Sequence, residues 1–346
     1  MPLKIVSWNL EWADTLLPDS KATIAKRGPD PARCKKIYQA LKEMDPDILC
    51  VLEGPAGVKR AEQFGTEVFD DEWVPILLDS PGTKDKNYCT GGWQWIWFYV
   101  KPELKDRCRL QAPAIWQEKT ECKKWPVHLW GEMYTTKDHE HYRHPQVLVY
   151  EFDDGREMEL IGAHLKSLYM NTKFKRDENN NIVREYMNEA LTNRIKLATE
   201  ARNVRKYITK RFEECGDKPP AIMILGDCND GPGQDYFEDN YLFYSVVSNL
   251  EGSLIESEEF FYHALFDFDP DLSWSIRFDD PVTKKSAKEN PLLLDHILFS
   301  QPLANGSYPL RAAKHAGKVE HEIWEKYSPN KKNMVSDHRP VSLLLT

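Results

Sequence analysis

A chain of 346 residues that is 41% hydrophobic and 29% charged can bury a large core, as one big α/β domain or two smaller ones, and this excludes a disordered chain. A net charge of −9 argues against holding nucleic acid by whole-surface attraction, while still allowing a local basic patch. With no apolar run long enough to span a bilayer, no export signal at the N-terminus and seven scattered Cys without C-x-x-C pairs, the expectation is a cytoplasmic protein with reduced thiols and no transmembrane segment.

In chain order, the first predicted strand is LKIVSW, which runs into Asn9 and Glu11. PARCKKIYQALKEMD predicts a helix with Ile37, Leu41 and Met44 on one face and Pro31 in its first turn. DILCVLE is a buried-type strand ending at Glu53, and WIWFYV is another, with Trp93, Trp95 and Trp97 alternating as a core face would. The stretch 104–144 crowds Cys108, Cys122, His128, His139, His141 and His144, but their spacings match no usual zinc pattern and are read as surface and local packing. Trp116, Trp125 and Trp130 in the same stretch offer rings that can stack on bases or an acyl chain.

VLVYEF and ELIGAHL follow, the second carrying His164. A helix over Ala190–Phe212 places Leu191, Ile195, Ala198, Val204, Ile208 and Phe212 opposite Arg194, Lys196, Arg202, Arg205, Lys206 and Lys210, a basic face read as solvated surface. AIMILGD ends in Asp227, Cys228 and Asn229 before Gly and Pro; LLDHILFS carries Asp295 and His296; Asp337 and His338 precede the last strand, VSLLLT. Helices are too few to alternate with every strand, so mixed sheets packed face to face with helices outside fit better than a parallel βαβ sheet. The stretches 54–92, 104–144 and 231–291 resist assignment and are read as loop insertions in a single domain over 1–346.

At AIMILGDCNDGPG three chemistries compete: a carboxylate and amide facing a metal and a phosphate, a redox or zinc thiol at Cys228, or a polar turn. On an extended strand the Cys228 side chain points away from its two neighbours, into packing, and Asp230 suits a turn cap. Gly226 and the following GPG are expected to leave room for a substrate and redirect the chain. A lone Asn or Glu at a strand end is an ordinary turn residue, but the set here supplies carboxylates for a hard cation, amides for phosphate oxygens and imidazoles for proton transfer. These are the components of metal-assisted phosphate ester hydrolysis. No H-E-x-x-H zinc pattern is present.

SWNLEW, VLE, GAHLKS, GDCND, LDHILFS and SDHRPV, in this order from Ser7 to Val341, resemble the endonuclease/exonuclease/phosphatase superfamily, in particular its deoxyribonuclease I and sphingomyelinase-type branches with HLKS. The resemblance implies a four-layered α-β-β-α sandwich of two packed mixed sheets, with a Mg²⁺ site, open to Mn²⁺ as substitute, at one edge. It implies Glu53 as principal metal ligand, with Asn9 beside it and Asp337 facing the same region. Asp227 and Asn229 would orient the attacking water and a phosphate oxygen, His338 would contact the phosphate or the water with Asp295 behind it, and His164 would be a second histidine. Arg143, in YRHPQV, resembles the family's arginine that approaches a substrate phosphate, and Lys166 is expected beside it. Gln94 falls where deoxyribonuclease I-like members carry a glutamate paired to the second histidine.

The leading expectation is therefore a Mg²⁺-dependent phosphodiesterase, a nuclease on DNA or RNA. An alternative keeps the chemistry on a phospholipid, phosphoinositide or other small phosphate ester. A catalytically silent scaffold is disfavoured because Asn9, Glu53, Asp227, Asn229, Asp295 and His338 all remain chemically competent. LLLDHILFS lacks the residues that mark the inositol phosphatases, and His296 stands where abasic-site repair enzymes commonly carry Tyr.

Overall fold

The computed structural model describes residues 1–19, 30–79, 84–129, 135–231, 235–241, 245–330 and 333–346. Trp130, Pro232 and Gly233 lie outside them. Two six-stranded sheets form the centre. The first sheet runs, edge to edge, Ala312–Val319, Val341–Leu345, Leu3–Asn9, Ile48–Gly54, Trp95–Val100 and Val74–Pro75. Leu3–Asn9 pairs parallel with Ile48–Gly54 and antiparallel with Val341–Leu345. The second sheet runs Phe261–His263, Asp295–Ser300, Ala221–Asp227, Glu157–His164, Gln146–Glu151 and Cys108–Gln111. There Ala221–Asp227 is parallel to Glu157–His164 and antiparallel to Asp295–Ser300. Both sheets are mixed, as expected.

Strand parity builds the layers. Along Ala221–Asp227, Ala221, Met223 and Leu225 join the apolar cluster that also holds Ile5, Leu49 and Phe98 of the first sheet. Ile222 and Ile224 point the other way, into a second cluster with Leu197, Ala201, Val204 and Ile208 of the helix Arg184–Cys215. Helix Pro31–Met44 contributes Ile37, Leu41 and Met44 to the first cluster. Its N-cap is Asp30, whose side chain accepts from Arg33 N, with Pro31 in the first turn where no N–H is needed.

Several expectations change. The long helix is 32 residues, and in its first half the buried face is Tyr186, Ala190, Asn193 and Leu197, while Leu191, Ile195 and Ala198 are only half-buried. Its basic residues are not all solvated: Arg194 lies over the Phe237 ring, and Arg205 pairs with Glu259 at 3.0 Å. Trp95 and Trp97 are buried and stack at 5.6 Å, but Trp93 precedes the strand and is 56% exposed. Trp116 is buried against Tyr207 at 4.3 Å, so its ring is not available to a ligand. The three unassigned stretches carry sheet edges as well as loops: Val74–Pro75, Cys108–Gln111 and Phe261–His263. Strand Ala312–Val319, which carries few apolar side chains, went unrecognised. No helix among the described residues is long and apolar enough to cross a membrane.

Candidate active site

The ladder of the second sheet aligns three ionisable side chains. Asp227 is the register partner of His164 on one side and of Asp295 on the other. Residues directly opposite in a sheet share a face, so all three project toward the first sheet, on the side where Met223, Leu225 and Ile297 meet it. Leu3–Asn9 ends at the same place, and Asn9 Nδ2 donates across the gap to Asp227 Oδ2 at 3.1 Å.

From the chain's end comes His338, whose Nδ1 is 2.6 Å from Asp295 Oδ2 and whose Nε2 is 3.8 Å from Asp227 Oδ2. Asp295 is fully buried and cannot leave the imidazole without exposing a charge to the core. Burial disfavours a charged His338, but Asp295, Asp227 and Asp337 outweigh it and hold the pKa well above the ordinary histidine range. Burial raises Asp227 above the usual carboxylate range, opposed by the His338 charge and by hydrogen bonds from Asn229 N and Asn9. The imidazolium therefore sits between two acids. His164 approaches Asp227 Oδ2 at 3.5 Å through Nε2, and its Nδ1 is buried without a partner. Burial, then Arg143 and His338, pushes His164 well below its ordinary value, so it stays neutral.

Cys228 is fully buried in the second apolar cluster, as its strand position requires. Asn229 turns left-handed at φ 52, which brings its N–H to Asp227 Oδ1 at 2.8 Å and its Nδ2 to Leu165 O at 3.0 Å. Gly226 serves a different purpose from the one expected. At φ 143 it makes room for the neighbouring strand, since a Cβ there would lie 1.9 Å from Ala163 O. Asp230 is a cap: its carboxylate accepts from Val246 N at the start of helix Val246–Glu251.

On the first sheet, the ladder between Ile48–Gly54 and Trp95–Val100 shifts register between Val51 and Gly54. Such a bulge re-aims side chains, and Glu53 there has φ 53. Glu53 Oε2 accepts from Trp12 N at 3.0 Å, with Trp12 itself left-handed at φ 58. Non-glycine residues in this region store backbone strain, which recurs where side chains are held for function. Burial raises the Glu53 pKa; Arg143 and His338 oppose this, and Asp337 adds to it.

Arg143 is half-buried, with a buried and unpartnered Nε, and desolvation lowers its pKa against the pull of Glu53 and Asp227. Its Nη2 donates to Gln94 Oε1, so Gln94 partners Arg143 and not His164. Lys166 does not reach the cluster: its Nζ donates to Ser167 O at 2.5 Å and its backbone N to Glu200 Oε2 at 2.7 Å. Of the expected cysteine and histidine group in 104–144, His139 and His141 lie 2.8 and 3.7 Å from Glu200 and serve packing. His296, on the opposite face from Asp295, binds His263 at 2.9 Å and takes no part in the cluster.

Among the described residues, Asp227, Asp295 and His338 offer ligand atoms within 4.8 Å of one another, so this cluster could hold a metal ion. Glu53 and Asp337 are not in that group. Their donor set nonetheless suits a hard cation, because Glu53 Oε1 has no hydrogen-bond partner among the described residues and Asp337 is held only by Ser336 Oγ at 3.4 Å. Asn9 is already engaged at both ends, its Oδ1 by Glu11 N at 3.1 Å and its Nδ2 by Asp227.

The contacts of the supporting residues carried no readable sequence signal. Buried Arg33 donates to Leu10 O, to Glu11 O at 2.9 Å and to Val335 O at 2.7 Å, tying the segment after Asn9 to the one before Asp337. Ser336 Oγ donates to Asn9 O at 2.6 Å and accepts from His338 N at 3.1 Å. Arg339 lies between the rings of Trp274 and Trp324, 3.8 Å from each centroid, and anchors the turn bearing His338. SDHRPV hints at the serine and arginine; their partners are distant in the chain.

No protein-family model matches the chain, and no curated protein matches it significantly. Solved structures do. An AP endonuclease from Leishmania major aligns over 99% of this chain and 87% of its own with a TM-score of 0.56 at 12% identity. TDP2 from C. elegans aligns over 100% of this chain and 75% of its own with a TM-score of 0.49 at 14% identity. The human Nocturnin catalytic domain aligns over 100% and 94% with a TM-score of 0.45 at 13% identity. The likeness to the AP endonuclease shows the fold: two packed mixed sheets in a deoxyribonuclease I-like sandwich.

Proposed function

We propose that this chain is a divalent-metal-dependent phosphodiesterase, with Mg²⁺ as the ion and nucleic acid as the substrate. The observation that carries the reading is the convergence on Asp227 of Asn9, His164 and an imidazolium backed by buried Asp295, beside Glu53, Asp337 and Arg143. Glu53 and Asp337, with Asn9 adjacent, would hold the ion. When bound, a divalent cation there would supply Lewis-acid stabilisation of charge developing on the phosphate and leaving oxygen.

The chain's own groups divide the remaining work. Asp227 is positioned by Asn9 and by Asn229 N, and it orients a water for in-line attack. His338 presents its Nε2–H to a non-bridging phosphate oxygen, and Asp295 fixes both its tautomer and its charge. Arg143 lends a planar guanidinium to the same phosphate, aimed by Gln94. Neutral His164 is placed to donate or accept a proton at Asp227. Lys166, which turns from the cluster, contributes charge to its rim rather than a contact.

The fold likeness supports the architecture, and the chemistry rests on this side-chain arrangement. The test is cleavage of single-stranded RNA, single-stranded DNA and plasmid, against a phosphoinositide and sphingomyelin, with and without EDTA. Metal-dependent cleavage of nucleic acid that alanine at Glu53, Asp227 or His338 severely reduces is the expected result. Undiminished cleavage in all three variants would sink the assignment, and cleavage restricted to a lipid or small ester would replace the substrate.

A further inference from the structure

Behind the turn that carries Asp227 and Asn229 lies a cavity of about 400 Å³, within the range of roughly 300–1,000 Å³ usual for small-molecule sites. Its cationic wall comes from one helix. Arg194, Arg202 and Arg205 are about two and three turns apart along Arg184–Cys215, so they share a face. Ala198 lies between them, and its small side chain leaves the gap. Leu168 and Val246 provide apolar surface, and the lining acids Asp230 and Glu238 lie near enough to Arg194 to favour its charge.

The arginines are preorganised and incompletely satisfied. Arg194 is stacked on Phe237 at 4.3 Å and pairs with Asp235, yet its Nε is buried without an acceptor. Arg205 pairs with Glu259 at 3.0 Å through Nη2, while its Nη1 is likewise buried without one. Arg202 is exposed and has no hydrogen bond or ion pair among the described residues. Arg194 and Arg205 are held by rings and carboxylates while Arg202 keeps its full set of donors, and guanidinium groups bind phosphate with paired N–H groups. Burial and the neighbouring Asp230 raise Glu238 to about 8, so near neutral pH the two acids share a proton and their remaining carboxyl oxygen lone pairs are the acceptors for hydroxyl or amino donors on the rest of the ligand.

From this placement we infer a second ligand site, separate from the Asp227 cluster, that takes a small organic phosphate whose body carries hydrogen-bond donors, such as a nucleoside monophosphate. The phosphate lies against Arg202 and its neighbours, the body packs on Leu168 and Val246, and its donors face Asp230 and Glu238.

Isothermal titration of the full chain with adenosine monophosphate, adenosine and inorganic phosphate, in EDTA, tests this without using catalysis, so its failure is distinct from failure of the phosphodiesterase reading. The monophosphate is expected to bind at one site, with adenosine and phosphate weaker. Arg202→Gln should weaken it about tenfold or more. Ala198→Leu, which fills the gap and removes no charge, should abolish it, and His338→Ala should leave it unchanged. Arg202 is on the surface, so its variant decides the matter if Ala198→Leu does not fold. Absence of binding, or binding that survives Arg202→Gln and is lost in His338→Ala, overturns the proposal.

Discussion

Gly226→Ala should damage both stability and the site, and the structure sets the scale. At φ 143 the residue lies in a region that essentially belongs to glycine, and forcing an L side chain there costs about 1–3 kcal/mol. The added Cβ would lie 1.9 Å from Ala163 O, a backbone atom that no rotamer change moves. Relief requires the strands to part at the Gly226 and Ala163 pair, weakening one or two ladder hydrogen bonds at about 1 kcal/mol each. Together this is roughly 2–5 kcal/mol, with Asp227 displaced from His164 and Asn9. Gly306→Ala is the control: it is left-handed at φ 78 and ψ 19, and the new Cβ would meet only Arg311 Cδ at 3.7 Å, an ordinary contact, so only about 1 kcal/mol is expected. Denaturant unfolding of both variants with unchanged m-values, alongside a phosphodiester cleavage assay, makes the comparison. A Gly226→Ala protein within about 1 kcal/mol of the parent and fully active would refute the reasoning.

Asp295→Asn removes the buried charge that fixes His338, and turnover should fall by about 10²–10⁴ while circular dichroism is retained; an unchanged turnover number would remove Asp295 from the mechanism. Cys50 and Cys228 are fully buried, so a thiol reagent should leave both unmodified in the native protein and reach them only in denaturant, as peptide mapping will show. His144 and His263 are held neutral in the fold, each lowered by burial from 6.5 to about 3. The unfolded chain binds those protons first, so this stability is fully present above the unfolded value and is lost as pH falls from 6.5 toward 3. At about pH 5.5 the pair should cost about 3 kcal/mol, and a His263→Gln variant that folds should show a shallower decline of unfolding free energy with acid; an identical slope would contradict the assignment.

How much could be read in advance depended on whether the physics was local. The eight main strands and the helix Pro31–Met44 follow from apolar runs, alternation and a Pro at the first turn, and each formed where those local signals lie. The polar residues at strand ends also stand out in the sequence, because a core does not choose an Asp, Asn or His there. Cys228 is another local result: strand parity alone turns it from Asp227 into the packing.

Only the tertiary structure could decide pairing. That Asp227 stands in register between His164 and Asp295, and faces Asn9 across the sheet interface, depends on strands 60 and more residues apart meeting in one order. Gln94 went to Arg143 and not to His164 because the loop before Trp95–Val100 meets the turn at Arg143, a contact no spacing encodes. Glycine's purpose at 226 likewise depended on a neighbour's carbonyl. Local propensity determines which segments extend and which side chains alternate; register, burial and the charge states that follow from them are set by partners far away in the chain.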